Sequence, residues 1–215
     1  MVFAIFLLVL FACAGPVHKA DPKELSKVET ILVLPFYHID DMDAEPVIID
    51  CKLCRQRHTF EFVAAGDAVF MYRHLMALLH SKGTYQYLFH DQAKDVSYNL
   101  NFDNLAPSEF KKRIVTSKIS QDIDAVLMGY IFRFRERVGT RYAIESPSSV
   151  AFSLYLISMD DGQVIWHSRY KETQEALFSN LLTFGKFLKR KARWVTAREL
   201  ASEALKDMLS TLEKP

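Results

Sequence analysis

Cys51 and Cys54, with His58 four residues further on, are the densest group of reactive side chains in the sequence. Two thiolates and an imidazole can supply three ligands to zinc, and a closed structural site needs a fourth. His38 or His90 completes that set only if the fold brings one of them near. The same spacing suits a redox pair, because cations such as Lys52 and Arg55 stabilise a thiolate. Redox chemistry of that type wants the motif after a strand and opening a helix, whereas here it lies between β-like segments. A structural disulfide is the third possibility, formed in an oxidising compartment. Zinc is thus the one cofactor the residues raise. Asp40, Asp41, Asp43 and Glu45 form an acidic loop, but the Gly and closing Glu of a calcium loop are not at their spacing. Arg133, Arg135, Arg137 and Arg141 line one side of an extended segment, facing anionic headgroups, an acidic partner or solvent. Lys186, Phe187, Lys189, Arg190, Lys191, Arg193 and Trp194 interleave basic and aromatic residues, a mixture suited to a membrane interface or a partner surface. The sequence contains no nucleophile elbow and no Gly-rich phosphate loop. No catalytic residue is assigned, and the chain reads as a non-enzyme.

Cys13 stands apart from the other two cysteines. The apolar run Val2 to Ala12 is too short for a membrane-spanning helix, which needs about 20 residues, and has the length of a signal-peptide core. Its right edge, Leu10-Phe11-Ala12-Cys13, resembles the bacterial lipobox, although Phe11 is bulky for its place and no Lys or Arg precedes the run. That resemblance implies cleavage before Cys13, acylation of its thiol (palmitate) and new amine, and a membrane partner held through the lipid. Ala14 follows, with no Asp to suggest inner-membrane retention, so the expected address is the outer membrane, facing the periplasm. Residues 1–12 are then a signal peptide, 13–27 a lipidated Cys with its tether, and 28–215 one domain. With Cys13 acylated, Cys51 and Cys54 remain as an even pair.

Those residues must be positioned by a fold, and the composition is that of a globular one. Half of the 215 residues are hydrophobic and 13% are aromatic, far richer than a disordered chain. Lys plus Arg is 27 and Asp plus Glu is 26, a balance that points away from nucleic acid. Glu29 to Tyr37 is a continuous apolar run suited to a strand buried on both faces, with Pro35 placing its end. Val47 to Val63 reads as a hairpin with the two cysteines at its turn. Asp67 to Lys82 is a helix by the spacing of Val69, Tyr72, Leu75, Met76 and Leu79, stopped by Gly83. Tyr85 to Phe89 is a short strand, and Ser108 to Ser120 a second helix after Pro107. Asp124 to Arg137 is a long strand. Ser149 to Met159 and Gln163 to Thr173 form a meander about Asp160-Asp161-Gly162. Phe178 to Leu188 is helical, and Thr196 with Glu199 caps a final helix to Leu212. The expected class is α/β with α+β character: one mixed sheet, a C-terminal antiparallel meander, and helices on its faces.

Three of these stretches together resemble the α/β domains of the curli-secretion lipoprotein, the penicillin-binding-protein activator lipoproteins and the amino-terminal domain of TolB. They are Ile31-Leu-Val-Leu-Pro-Phe36, the strand Asp122 to Phe134 with its Ala-Val-Leu-Met-Gly core, and the hairpin Leu154 to Trp166. The resemblance implies a periplasm-facing module that is not an enzyme. Such modules bind envelope proteins or self-assemble in transport or assembly machinery. The Gly-rich stretch usual after the first strand is absent, and the segment holding Cys51 and Cys54 stands in its place.

Overall fold

The computed structural model describes residues 17–43, 45–51, 56–89, 123–140, 144–174 and 194–213. The helices expected over 108–120 and 178–188 lie outside the described residues. The strands are β1 (Val17–Ala20), β2 (Thr30–Tyr37), β3 (Val47–Cys51), β4 (Gln56–Phe60), β5 (Gln86–Phe89), β6 (Ala125–Arg135), β7 (Val138–Gly139), β8 (Ile144–Ser146), β9 (Ser149–Ser158) and β10 (Val164–Thr173). The helices are α1 (Pro22–Leu25), α2 (Ala65–Lys82) and α3 (Ala197–Ser210). Six strands form one sheet in the order β1-β10-β9-β6-β2-β5. β2 is parallel to both β5 and β6, while β6, β9, β10 and β1 are antiparallel in turn. The expected mixed sheet with its antiparallel meander is what forms.

β2 and β6 are apolar at successive positions because both faces of the sheet are buried. On one face Ile31, Val33, Leu127, Phe152, Leu154 and Trp166 pack under α2 and α3. On the other, Leu32, Leu34, Val126, Met128, Tyr130 and Tyr155 join Phe60 of β4. Burying each of these side chains contributes about 1.5–3 kcal/mol. Proline has no N–H for a central ladder, and Pro35 sits where the sheet tolerates that. β5 pairs only as far as Val33, and the β2–β6 register shifts between Val33 and Phe36.

α2 departs from its expected face. Ala68, Met71, Leu75 and Leu79 point into the core, Tyr72 and Met76 flank it, and Val69 is exposed. The sequence offers two overlapping apolar stripes a third of a turn apart, and the sheet selects the one containing the small Ala68. The helix ends as expected at Gly83, in the left-handed region at φ 62°, where glycine carries no Cβ penalty.

α3 carries the expected capping box: Glu199 N–H donates to Thr196 Oγ1 (3.1 Å) and Thr196 N–H to Glu199 Oε2 (2.8 Å). Its Ala197 N–H also donates to both carboxylate oxygens of Glu136, at 3.1 Å each, where the helix dipole favours an anion. Residues 17–27, expected within the tether, carry β1 and α1. β1 pairs with Trp166 to Arg169 of β10, and Leu25 is buried.

Candidate functional site

The antiparallel and parallel pairings place the carboxyl ends of β2, β6 and β10 and the start of β9 at one end of the sheet. Arg135 stands opposite Ser149, and Ser149 opposite Thr173. The β3–β4 hairpin joins this end. Phe60 meets Phe132, Tyr130 and Tyr37 edge-to-face at 4.9, 6.0 and 5.7 Å, and Glu61 N–H donates to Phe132 O at 2.9 Å. His58 lies flat on Phe132, with ring centroids 4.2 Å apart. Phe62 is bridged to Ile39, just beyond β2.

All six large apolar side chains that are exposed among the described residues belong to this end. Met42 (74% exposed) lies in the acidic loop after β2, and Val47 and Ile48 (67%) open the hairpin. Phe62 follows β4, Val69 is in the first turns of α2, and Val138 follows β6. Among the described residues Asp40, Asp41, Asp43 and Glu45 are exposed beside them and make no ion pair. The arginine row is engaged. Arg135 Nε donates to Glu61 Oε2 at 2.7 Å, Arg133 lies 3.8 Å from Glu61 Oε1 and 3.4 Å from Thr173 Oγ1, and Arg137 donates to Gly139 O at 3.1 Å. Arg141 lies outside the described residues. The two arginines therefore tie β6 to the hairpin base through Glu61, a role their spacing alone does not reveal.

The opposite end holds an open cleft of about 450 Å³. Its polar groups are already used within the fold. Asp124 Oδ2 accepts from Glu29 and Thr30 N–H at 2.9 Å each, and Lys27 pairs with Glu24 at 2.7 Å. That pairing, by hydrogen bond and then by charge, raises the Lys27 pKa above 10.5. At the β5 edge, burial lifts the Tyr85 phenol and pushes that of Tyr87 up to about 12 with Tyr85 adding to it. Both stay protonated and neutral at ordinary pH.

Cys13, Cys54, Lys186, Phe187, Lys189, Arg190 and Arg193 lie outside the described residues. Cys51 ends β3 opposite Gln56 of β4, and the turn expected to hold Cys54 lies outside the described residues. Among the described residues no three His, Cys, Asp or Glu side chains gather to hold a metal, and no helix is long and apolar enough to cross a membrane. Trp194, expected in the basic–aromatic patch, is 8% exposed. It belongs to the interior and not to an exposed patch, because burying an indole outweighs its value at a surface. Sequence reasoning missed the gathering of apolar residues at one end, since they are scattered from 42 to 138 and only the topology unites them.

These elements define a mixed six-stranded sheet with two helices on one face and a hairpin across one end of the other. In its course the chain is similar to the PelC dodecamer from Paraburkholderia phytofirmans, with a TM-score of 0.52 at 13% identity over 94% of this chain and 98% of that one. A variant of that dodecamer gives 0.51 at 13% identity, over 93% and 98%. The lipoprotein GNA1162 from Neisseria meningitidis gives 0.41 at 12% identity, over 76% and 95%. At these identities the likeness is one of fold. No family model matches the sequence, and no curated protein matches it.

Proposed function

We propose that the chain is a lipid-anchored, non-catalytic cell-envelope protein, held by acyl chains on Cys13 in the outer membrane and facing the periplasm. It acts through protein contacts in envelope assembly or transport, and the first of these contacts is with further copies of itself. The observation that carries this reading is the end-to-end likeness of fold to PelC, a dodecamer. The lipobox at Cys13 and the sequence resemblance to envelope modules support it independently. Cys51 and Cys54 close the hairpin turn as a disulfide, which suits an oxidising periplasm.

Light scattering of the detergent-extracted chain tests self-assembly, with a discrete oligomer expected. A monomer at every concentration, together with no partner recovered by crosslinking in native envelopes, would overturn the reading. Thiol titration before and after reduction tests the pairing, which requires two new thiols to appear on reduction. Two thiols free from the outset, with one zinc bound, would instead favour a metal module on Cys51, Cys54 and His58.

A further inference from the structure

The distribution of exposed apolar side chains is one-sided. Met42, Val47, Ile48, Phe62, Val69 and Val138 lie at the end of the sheet where β2 and β6 finish, and none lies at the opposite end among the described residues. That opposite end presents Glu24, Lys27, Asp160 and Asp161 instead. A soluble surface does not gather large apolar groups without an occupant for them.

β1 runs antiparallel to β10 with Val17 opposite Arg169, so the start of β1 is directed toward the end where β10 finishes. From Arg169 to Thr173 the strand rises about 13 Å. Cys13 precedes Val17 by four residues, a reach of at most about 14 Å. An extended chain therefore brings Cys13 level with the apolar end and no further. A lipid on Cys13 has too short a lead to hang the domain far from a bilayer, and the end that carries the exposed apolar groups is within its reach.

We infer that this end of the domain is a membrane seat, with Met42, Val47, Ile48 and Phe62 set into the headgroup layer of the bilayer that holds the Cys13 lipid. The inference rests on the lipid anchor proposed above. The charge pattern selects the kind of surface. Asp40, Asp41, Asp43 and Glu45 are exposed in the loop after β2, at this end of the sheet, while Arg135 at the end of β6 is paired with Glu61. A zwitterionic headgroup offers an ammonium to these carboxylates, whereas a strongly anionic layer would repel the acidic loop. The β3–β4 hairpin is then a foot.

The test places an indole at each end of the acylated full-length chain, reconstituted in phosphatidylethanolamine–phosphatidylcholine vesicles containing a lipid with a spin label near its headgroup. Ile48→Trp probes the seat, and Lys27→Trp probes the opposite end. The native Trp166 and Trp194 are buried and provide a constant background. The seat predicts that the added emission of Ile48→Trp falls about twofold or more while that of Lys27→Trp is unchanged. The mass of the amino-terminal fragment reports acylation of Cys13 in the same samples. With the lipid present, equal quenching at both ends overturns the seat and leaves the anchor standing. An unquenched Ile48→Trp whose emission shifts to the blue as protein density rises means that a second copy covers this end, which also overturns the seat. No acyl mass on Cys13 overturns the anchor, and the seat with it.

Discussion

Gly129 faces Phe36 across the β2–β6 pair, and a Cβ at position 129 would lie 2.5 Å from two atoms of the Phe36 ring and 3.0 Å from Leu154 Cδ2. The ring also packs edge-on against Phe152 at 6.3 Å, so it has no free direction in which to retreat. Gly129→Ala is therefore expected to cost about 1–3 kcal/mol, as overpacking of a filled core does. Urea denaturation measures it, and Phe36→Leu in the same chain should recover part of the loss. Additive costs in the double variant would show that the ring is not the obstacle. His74 is a second residue whose environment decides its chemistry. It stacks on Phe70 at 5.9 Å between α2 and α3, with Nε2 buried and unpartnered. Burial, aided by Lys206 and partly opposed by the Ser202 backbone, lowers its pKa from 6.5. Below pH 6.5 the unfolded chain then takes up a proton more readily than the folded one. Stability should fall as pH drops through that window and be unaffected by His74 above it. Thermal melts of wild type and His74→Gln between pH 5 and 8, the range of histidine switching, should diverge only on the acid side. Parallel curves would remove His74 from the account.

At the scale of elements, α3 is held by its beginning as much as by its apolar stripe. Glu136 reaches from the end of β6 to the Ala197 N–H, while Thr196 and Glu199 close the capping box. Glu136→Gln removes the charge at the helix dipole and should cost about 0.3–1 kcal/mol. Thr196→Ala should cost about 1 kcal/mol, with the two losses close to additive by chemical denaturation. A Glu136→Gln variant as stable as wild type would reduce that contact to coincidence. The capping box was legible because it is written in four consecutive residues, whereas the Glu136 contact joins positions 61 apart and has no local sign. The same distinction runs through the fold. β2, β6, the β9–β10 hairpin and α3 could be read from runs, turns and caps in one stretch of chain. The inward face of α2 could not, because Val69 and Ala68 begin equally apolar stripes and only the sheet decides between them. The site was less legible still. The spacing makes His58 only a possible ligand and gives no sign of its stacking on Phe132, and it shows Arg133 and Arg135 as a row without the Glu61 that draws them. Pairings of that kind depend on tertiary neighbours.

For the whole molecule, the decisive contact is one the sequence assigned to a tether. Val17 to Ala20 pair with four of the ten β10 residues, Asp21 N–H donates to Ile165 O at 2.8 Å, and Leu25 and Val28 enter the main core at 2% and 3% exposure. A polar, Pro- and Lys-containing stretch reads as a linker by composition, yet four residues of it cover the Trp166 to Arg169 part of a sheet edge whose N–H and C=O groups would otherwise face water. Covering that edge matters because an open strand pairs with its neighbours. A chain beginning at Val28 should therefore differ from one beginning at Ala14 in two ways. It should lose at least about 2 kcal/mol, the scale of removing one buried leucine. It should also associate in a concentration-dependent way through β10, seen as faster hydrogen exchange at Trp166 to Arg169 in dilute samples and renewed protection in concentrated ones. Identical denaturation midpoints for the two chains would return residues 14–27 to the role of a tether. The lipid proposed for Cys13 would then hang the domain on a lead of fourteen residues, free to turn any face to a bilayer. If β1 holds, the lead is three residues, and the proposed anchor then leaves the domain little freedom to turn.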